Sequence, residues 1–230
     1  MFTISPSLYS ADLLDIRNVL NNLQGFEHLH LDIDDGNFVR GISFGMDFVE
    51  PVAKATDIPL DAHLEVLNPM DYVVPLCEAG VEQIVAHVEA LPYPSLFLST
   101  VHQYGKKAGL ALNIKTPVSY LEPYIDQLDC VIIVSVEADV EGLPFRPGVL
   151  KKIRDARALL PEHVTIWVDG GVNESNLKSV IDAGADAIVQ GRAVFKAPDP
   201  NEAYRRLLAL GRNYEKEREV SCAMKKNGSC

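Results

Sequence analysis

The segment Leu29–Gly36, LHLDIDDG, places three polar residues in an otherwise apolar strand pattern. Polar and apolar residues alternate, so on a strand the polar ones share one face. They are His30, Asp32 and Asp34. Carboxylates on a buried face are costly unless they are paired, hydrogen-bonded or bound to a metal. The segment therefore predicts a strand whose polar face serves a site.

Two later segments repeat this pattern. In residues 60–66, LDAHLEV, the alternating polar residues are Asp61, His63 and Glu65. Residues 164–172, VTIWVDGGV, are apolar up to Asp169 and then turn through two glycines. For any one segment, polar residues that meet solvent at a strand end are the simpler interpretation. Three segments with the same pattern favour a functional site.

Short apolar runs alternate with helix-period segments along the chain, which predicts eight strand-then-helix units with short connections. Strands are predicted at residues 2–5, 28–34, 60–66, 83–88, 108–114, 130–136, 164–169 and 187–189. Such units imply parallel strands and crossover helices. We predict an α/β fold, a single-domain (β/α)8 TIM barrel. The alternative is a doubly wound open sheet, but ISPSLYS lacks the GxGxxG turn that usually follows its first strand.

The predicted barrel covers residues 1–216. Its first helix is expected from Ser10 to Leu23, another begins at Thr116-Pro117, and the last runs from Pro200 to about Lys216. Residues 217–230 are polar, lack an apolar period and are predicted to form a disordered tail.

Composition excludes several classes of partner. The 230 residues carry a net charge of −11 without a basic stripe, which argues against nucleic acid and membrane surfaces. No secretory signal or apolar run of transmembrane length is present. The four cysteines show no CxxC spacing, so we expect reduced, buried thiols and a cytoplasmic protein.

Four of the polar residues should meet at one end of the barrel, because active sites of this fold lie at the carboxyl ends of the strands. They are His30, Asp32, His63 and Asp169. Two imidazoles and two carboxylates suit one divalent transition metal, with zinc, iron, manganese and cobalt left open.

A second feature is an anion site. Barrels often bind phosphate with the loops after strands seven and eight, here DGGVN (169–173) and QGRA (190–193). Glycines allow backbone N–H groups to approach an anion, and a helix started by Asn173 would add its positive end. The alternative is that Gly170 and Gly171 only turn the chain.

From Ile4 to about Leu208 the sequence resembles the ribulose-phosphate 3-epimerase family. The motifs that carry the resemblance are ISPSLYSAD, LHLDIDDGNFV, PLDAHL, AHVEA, VDGGVN and QGRAVF. The resemblance implies a TIM barrel with a metal held by the four residues named above. It implies a small-molecule substrate, a sugar or sugar phosphate, and a homo-oligomer. In that family the residue matching Ser7 contacts substrate. The residues predicted to bind substrate in this chain are Ser7, His63, Gly142, Gly170, Gly171, Gly191 and Arg192.

The resemblance also implies a reaction. The metal polarises the C2 ketone and C3 hydroxyl of a ketose phosphate, of the ribulose 5-phosphate/xylulose 5-phosphate type. One of Asp32 and Asp169 removes the C3 proton to give an enediolate, and the other returns a proton to the opposite face.

The sequence departs from the family's pattern in two places. Near the metal the family has methionines where this chain has Asp34, Glu65 and Val134; the two acids are predicted to be extra ligands or to stand behind the ligands. In the glycine-rich loop after strand six, Asp139 and Glu141 replace glycines, whereas Gly142 remains.

Cations also stand where the family has uncharged residues, at Arg40, Lys115 and Arg192. In one alternative, one of these cations offsets the negative charge of Asp139 and Glu141, and the substrate is still anionic. In the other, the chain acts on a non-phosphorylated or carboxylated sugar. We expect the specificity to have shifted at the anion end, with an anion site retained.

Two rival functions remain. A Schiff-base aldolase needs a lysine inside the barrel, and related decarboxylases use an Asp-x-Lys-x-x-Asp pattern, whereas Lys115 lies at a strand end. A barrel that only binds a ligand would gain nothing from burying the four metal-type residues. Epimerase ranks first, another enediolate chemistry second and a binding protein last.

Overall fold

The computed structural model describes residues 1–137 and 144–227. Eight parallel strands form one sheet in the order β1-β8-β7-β6-β5-β4-β3-β2. The strands are β1 Thr3–Pro6, β2 Leu29–Asp34, β3 Leu60–Glu65, β4 Gln83–His87, β5 Lys107–Leu112, β6 Cys130–Val134, β7 Thr165–Asp169 and β8 Ala187–Gln190. A parallel bridge between Ser7 and His30 joins β1 to β2 and closes the ring. The predicted single-domain (β/α)8 barrel is confirmed.

Helices follow the strands and pack on the outside of the ring. The α-helices are α1 Ile16–Asn22, α2 Met46–Ala55, α3 Met70–Ala79, α4 Pro94–Gln103, α5 Val149–Leu159, α6 Glu174–Ala183, α7 Arg192–Phe195 and α8 Pro200–Asn227. Short 3₁₀ helices cover Leu8–Ser10, Leu13–Asp15 and Val88–Ala90, and a longer one covers Val118–Gln127. Within the described ranges, each helix is too short or too polar to cross a bilayer.

Two apolar layers result from the alternation of side chains along the strands. On β6, Val131 and Ile133 face the helices, whereas Ile132 and Val134 face the barrel interior. The outer layer is the larger of the two and joins strands to helices. The inner layer fills the base of the ring and includes Trp167. Burial of apolar area in these layers is the main stabilising contribution, and the polar residues are left for the open end.

Three helix predictions need correction. The helix expected over residues 10–23 is one 3₁₀ turn, Leu13–Asp15, followed by α1, because the side chain of Asp12 accepts from the backbone N–H of Leu14 and starts a separate turn. The segment after Pro117 is a 3₁₀ helix rather than an α-helix, and Pro123 removes an amide donor from its middle. The short helix α7 was not predicted.

The last helix corrects the predicted boundary at Lys216. Helix α8 continues to Asn227, so residues 217–227 are helical rather than a disordered tail. Polar contacts replace the missing apolar period: the Arg218 guanidinium donates to the carbonyls of Ile181 and Ala185, at 3.0 Å each. Lys178 on α6 pairs with Glu217 at 3.0 Å. The sequence pattern shows only the polarity of these residues, not what they contact.

Candidate active site

The four predicted ligand residues meet at the carboxyl end of the strands. His30, Asp32, His63 and Asp169 each offer one nitrogen or carboxylate oxygen, and these atoms lie within 4.8 Å of one another. Both imidazoles are buried, at 1% and 0% exposed, whereas the carboxylates of Asp32 and Asp169 reach the cavity at 16% and 21% exposed. The arrangement places two imidazole nitrogens and two carboxylate oxygens around one point.

His30 is fixed from both sides. Its Nδ1 lies 3.1 Å from Oδ2 of Asp61, and its Nε2 lies 3.0 Å from Oδ1 of Asp32. The Ser5 hydroxyl donates to Asp61 at 2.7 Å and holds that carboxylate in turn. Burial disfavours the charged imidazole, but Asp32 and Asp61 outweigh burial and raise the pKa of His30 well above its ordinary value. Asp61 was not predicted as a site residue.

Asp32 is the most strongly held carboxylate of the four-residue cluster. The Ser7 hydroxyl donates to its Oδ2 at 2.5 Å, which places the predicted substrate residue Ser7 beside the ligands. Burial alone would raise the pKa of Asp32, but His30 lowers it well below the ordinary value. The carboxylate is therefore ionised at neutral pH and available to a cation.

His63 contributes a ring nitrogen that has no hydrogen-bond partner. Its buried Nδ1 lies 3.4 Å from Oδ2 of Asp169 and 3.7 Å from Oδ1 of Asp32, and neither contact has the geometry of a hydrogen bond. Burial lowers the pKa of His63, but Asp169 and Asp32 outweigh burial and raise the pKa to about 10. Raised imidazole pKa values next to two carboxylates mean that this space favours positive charge. The residues therefore fit a divalent cation.

Behind His63 lies a histidine that sequence reasoning missed. Nε2 of His87 is 3.0 Å from Nε2 of His63, and its Nδ1 is 3.2 Å from the carboxylate of Glu89. Glu89 accepts from the backbone N–H of Asn113 at 2.9 Å and from the Thr116 hydroxyl. Burial would raise the pKa of Glu89, but His87 and Thr116 lower it to about 2. The segment AHVEA places His87 and Glu89 two residues apart, and that spacing was the available signal.

Asp34 and Glu65 face each other across the β2–β3 ladder, where they are paired in register. Both line the cavity in front of the four ligand residues. Burial and the neighbouring Glu65 raise the pKa of Asp34 to about 8. One oxygen of Asp34, Oδ1, is buried without a hydrogen-bond partner. Both residues therefore border the site, and the raised pKa keeps the Asp34 carboxyl largely protonated at neutral pH.

The cavity is about 890 Å³ and extends from these carboxylates to the loops after β7 and β8. Gly170 and Gly171 have φ values of 91° and 62°, which favour glycine. A Cβ on Gly171 would lie 2.7 Å from the backbone nitrogen of Phe145. A Cβ on Gly191 would collide with the Ser10 hydroxyl. The three glycines therefore keep this end of the cavity open and its backbone accessible.

Arg192 begins helix α7, is exposed and lines the same end of the cavity. Asn173 caps helix α6 beside it, where its side-chain oxygen accepts from the backbone N–H of Ser175 at 2.9 Å. The predicted residues Asp139, Glu141 and Gly142 lie outside the described residues. Around one cavity, the structure thus brings together Ser7, the two predicted carboxylate ligands, three of the predicted glycines and Arg192, with the two predicted histidine ligands buried beside the carboxylates.

Comparison with known proteins agrees with this geometry. The sequence model of the ribulose-phosphate 3-epimerase family matches residues 3–195. Ribulose-phosphate 3-epimerase from Bacillus subtilis is 35% identical over 209 residues, which are 88% of this chain and 96% of that protein. The protein of the same name from Synechocystis sp. is 38% identical over 207 residues, 87% and 90% of the two chains. The curated relatives are thus carbohydrate epimerases.

Solved structures of lower identity show the fold alone. Orotidine 5′-phosphate decarboxylase from Pyrococcus horikoshii superimposes with a TM-score of 0.63 at 16% identity, and covers 92% of this chain and 99% of that one. Thiamine phosphate pyrophosphorylase from Pyrococcus furiosus gives a TM-score of 0.65 at 14% identity, with 93% and 96% coverage. The family match and the relatives that align over almost their whole length agree: the chain is an enzyme of the isomerase class and belongs to the ribulose-phosphate 3-epimerase family.

Proposed function

We propose that this chain is a metal-dependent epimerase that inverts C3 of a ketose phosphate of the ribulose 5-phosphate/xylulose 5-phosphate type. The proposal is carried by one observation: His30, Asp32, His63 and Asp169 offer ligand atoms within 4.8 Å of one another, and the two carboxylates line the cavity. The curated relatives are ribulose-phosphate 3-epimerases, and this supports the substrate class.

One divalent ion, zinc, iron, manganese or cobalt, would be held by these four residues and would stabilise negative charge on the substrate's C2 and C3 oxygens. Asp32 and Asp169 come from β2 and β7 and reach the cavity from two different walls. One of them removes the C3 proton to give an enediolate, and the other delivers a proton to the opposite face. Two bases on opposite faces are what inversion at carbon requires.

At the other end, we propose that the anion is bound by backbone N–H groups near Gly170, Gly171 and Gly191 and by Arg192. The glycines leave room for the ligand, and the capped start of α6 adds a partial positive charge. Ser7 holds Asp32 in place and borders the substrate. His63 would bind the ion, and the contact with substrate expected from the sequence stays a prediction.

A second candidate is an epimerase, isomerase or lyase of related enediolate chemistry on a non-phosphorylated or carboxylated sugar. The observation in its favour is the presence of Asp34 and Glu65 in the lining of the cavity. Carboxylates accept hydrogen bonds from sugar hydroxyls but repel a second anion. The homo-oligomer and the cytoplasmic location expected from the sequence stay predictions.

The test is solvent isotope exchange. Metal-replete protein is incubated in D₂O with ribulose 5-phosphate, other ketose phosphates, free ketoses and sugar acids. We expect deuterium at C3 together with the epimeric product from a ketose phosphate. Exchange with a free ketose or sugar acid, but with no ketose phosphate, would favour the second candidate. Absence of exchange with every substrate class would contradict both.

A further inference from the structure

A second group of metal-type side chains lies directly behind the first. His63, Glu65 and His87 each offer one atom, and these atoms lie within 4.8 Å of one another. Nε2 of His63 is 3.0 Å from Nε2 of His87, and that same His87 atom is 3.5 Å from Oε1 of Glu65. Ligands that share one tetrahedral ion at about 2.0–2.2 Å stand roughly 3–3.5 Å apart, so these separations suit a shared cation.

His87 is oriented in the same way as the ligand His30. Nδ1 of each imidazole lies beside a carboxylate, Glu89 for His87 and Asp61 for His30, at 3.2 Å and 3.1 Å. Each carboxylate in turn accepts from a hydroxyl of a neighbouring element. A histidine that binds a metal usually donates its other ring N–H to a carboxylate in this manner. The arrangement leaves Nε2 of His87 directed at Glu65 and His63.

Asp34 borders this group without belonging to it. It is the register partner of Glu65 across the β2–β3 ladder, and its Oδ1 is buried without a hydrogen-bond partner. Two facing carboxylates on a partly buried surface are unfavourable unless a proton or a cation lies between them. Both residues line the cavity, so an ion can reach them from solvent.

We propose that His63, Glu65 and His87 form a second divalent-cation site, adjacent to the first and sharing His63 with it, and that the site is bordered by the Asp34 carboxylate beside Glu65. His63 binds the first ion through Nδ1 and the second through Nε2, as a bridging imidazolate. The second ion replaces the proton that otherwise lies between the two Nε2 atoms, and that proton is released to solvent. Two imidazole nitrogens and one carboxylate select a transition metal such as Zn²⁺, Mn²⁺ or Co²⁺ rather than Ca²⁺ or Mg²⁺.

The sharing of His63 rests on the first metal centre of the proposed function, so the test counts ions rather than turnover. Metal-free full-length protein is loaded with Mn²⁺, freed of excess ion and analysed for manganese per chain. We expect two ions per chain in the wild type and one in Glu65→Gln. Glu82→Gln, which changes an exposed carboxylate next to β4, is the matched control and should keep two. Two Mn²⁺ ions bridged by one imidazole should also give a spin-coupled EPR spectrum that Glu65→Gln loses.

Glu89→Gln weakens the orientation of His87 without removing a ligand. It should lower the affinity of the second ion by roughly 10–100-fold and leave the first ion bound. One ion in both the wild type and Glu65→Gln would overturn the second site and leave the first centre intact. No bound ion in the wild type would overturn the second site and the metal-dependent part of the proposed function together.

Discussion

At one end of the cavity, His30 and Asp32 project from a strand and are held by the side chains of Asp61 and Ser7. At the other end, Gly171 and Gly191 lie in loops and offer backbone groups, with Arg192 as an exposed side chain. The ligand end is therefore built from buried, mutually constrained side chains. The other end, which we propose binds the anion, is formed mainly by the backbone around glycines, together with Arg192.

Because of this difference, mutations at the two ends should have different effects. Changing a ligand residue removes a chemical group, so the effect falls on metal binding and proton transfer. Changing a glycine adds a group and moves the backbone, so the effect falls on shape and stability. Specificity should therefore evolve at the anion end while the chemistry at the ligand end persists.

The largest expected effect is on proton transfer. Asp32→Asn and Asp169→Asn should each lower kcat by roughly 10²–10⁴-fold, because each removes a general acid–base group. Asp57→Asn, an exposed aspartate before β3, is the control and should retain turnover. Steady-state kinetics on the substrate identified by isotope exchange provides the measurement. Near-normal turnover in either variant would show that this aspartate is not a required base.

His63→Ala should weaken metal binding by at least roughly 100-fold, more than the loss of a residue that only orients a ligand. Its Nδ1 is the buried atom left without a partner between Asp32 and Asp169. Metal analysis after exhaustive dialysis, with circular dichroism to verify folding, provides the measurement. Stoichiometric metal at unchanged affinity in a folded His63→Ala protein would show that His63 is not a ligand.

Metal binding should also depend on pH. Asp169 and Asp32 outweigh burial and raise the pKa of His63 to about 10 in the metal-free protein. Below that pH the imidazole is protonated and must lose its proton to bind an ion, so affinity should increase as pH rises. We expect a gain of roughly tenfold per pH unit between about pH 6 and 8 for each proton released.

Calorimetric titration in buffers of different ionisation enthalpy measures those protons directly. The control is Asp57→Asn, in which the site is unchanged and the same proton release should appear. An affinity that stays constant over this pH range, or a heat that does not depend on the buffer, would contradict a protonated His63 in the metal-free state.

Arg192→Ala tests the proposed anion site. It should raise KM for a ketose phosphate by roughly tenfold and change kcat little, because one charge-assisted hydrogen bond to the substrate is lost. Lys196→Ala, exposed just after the same short helix, is the control. An unchanged KM would show that Arg192 does not bind the anion.

The sequence predicts a shift in specificity from the presence of Asp139 and Glu141, and this prediction has a separate test. We expect ribulose 5-phosphate to be a poorer substrate for this chain than for an efficient enzyme. A kcat/KM on the order of 10⁵ M⁻¹s⁻¹ or more for ribulose 5-phosphate would show that the specificity has not moved.

Strand periodicity made the ligand end predictable. Because side chains alternate along β2 and β3, the sequence placed His30, Asp32 and His63 on inner faces before any contact was known. The pairing of His30 with Asp61 follows from the register of β2 against β3, which alternation within one strand does not specify.

Contacts made by distant parts of the chain were not predictable. Glu89 contacts His87 and also accepts a hydrogen bond from Thr116, which lies in the loop after the next strand. Helix α8 likewise continues beyond Lys216 through contacts of Arg218 with α6 and the loop that follows it. Polar residues at these positions suggest solvent exposure unless their partners are known, and so the sequence indicated a disordered tail.

The smallest expected effect concerns the backbone of the anion end. Gly171→Ala places a side chain at φ 62°, with its Cβ 2.7 Å from the backbone nitrogen of Phe145. A left-handed conformation costs a non-glycine residue roughly 1–2 kcal/mol, and relief of the contact must shift the backbone that borders the anion. We expect the free energy of unfolding to fall by roughly 1–3 kcal/mol.

The matched control is Gly148→Ala. Gly148 has a φ of −59° and open space where a Cβ would lie, so alanine there should be neutral or stabilising by roughly 0.4–1 kcal/mol. Denaturant unfolding of both variants measures the difference. Equal stability of the two would show that the loop relaxes without cost, and the anion end would then be no more constrained by its backbone than an ordinary surface turn.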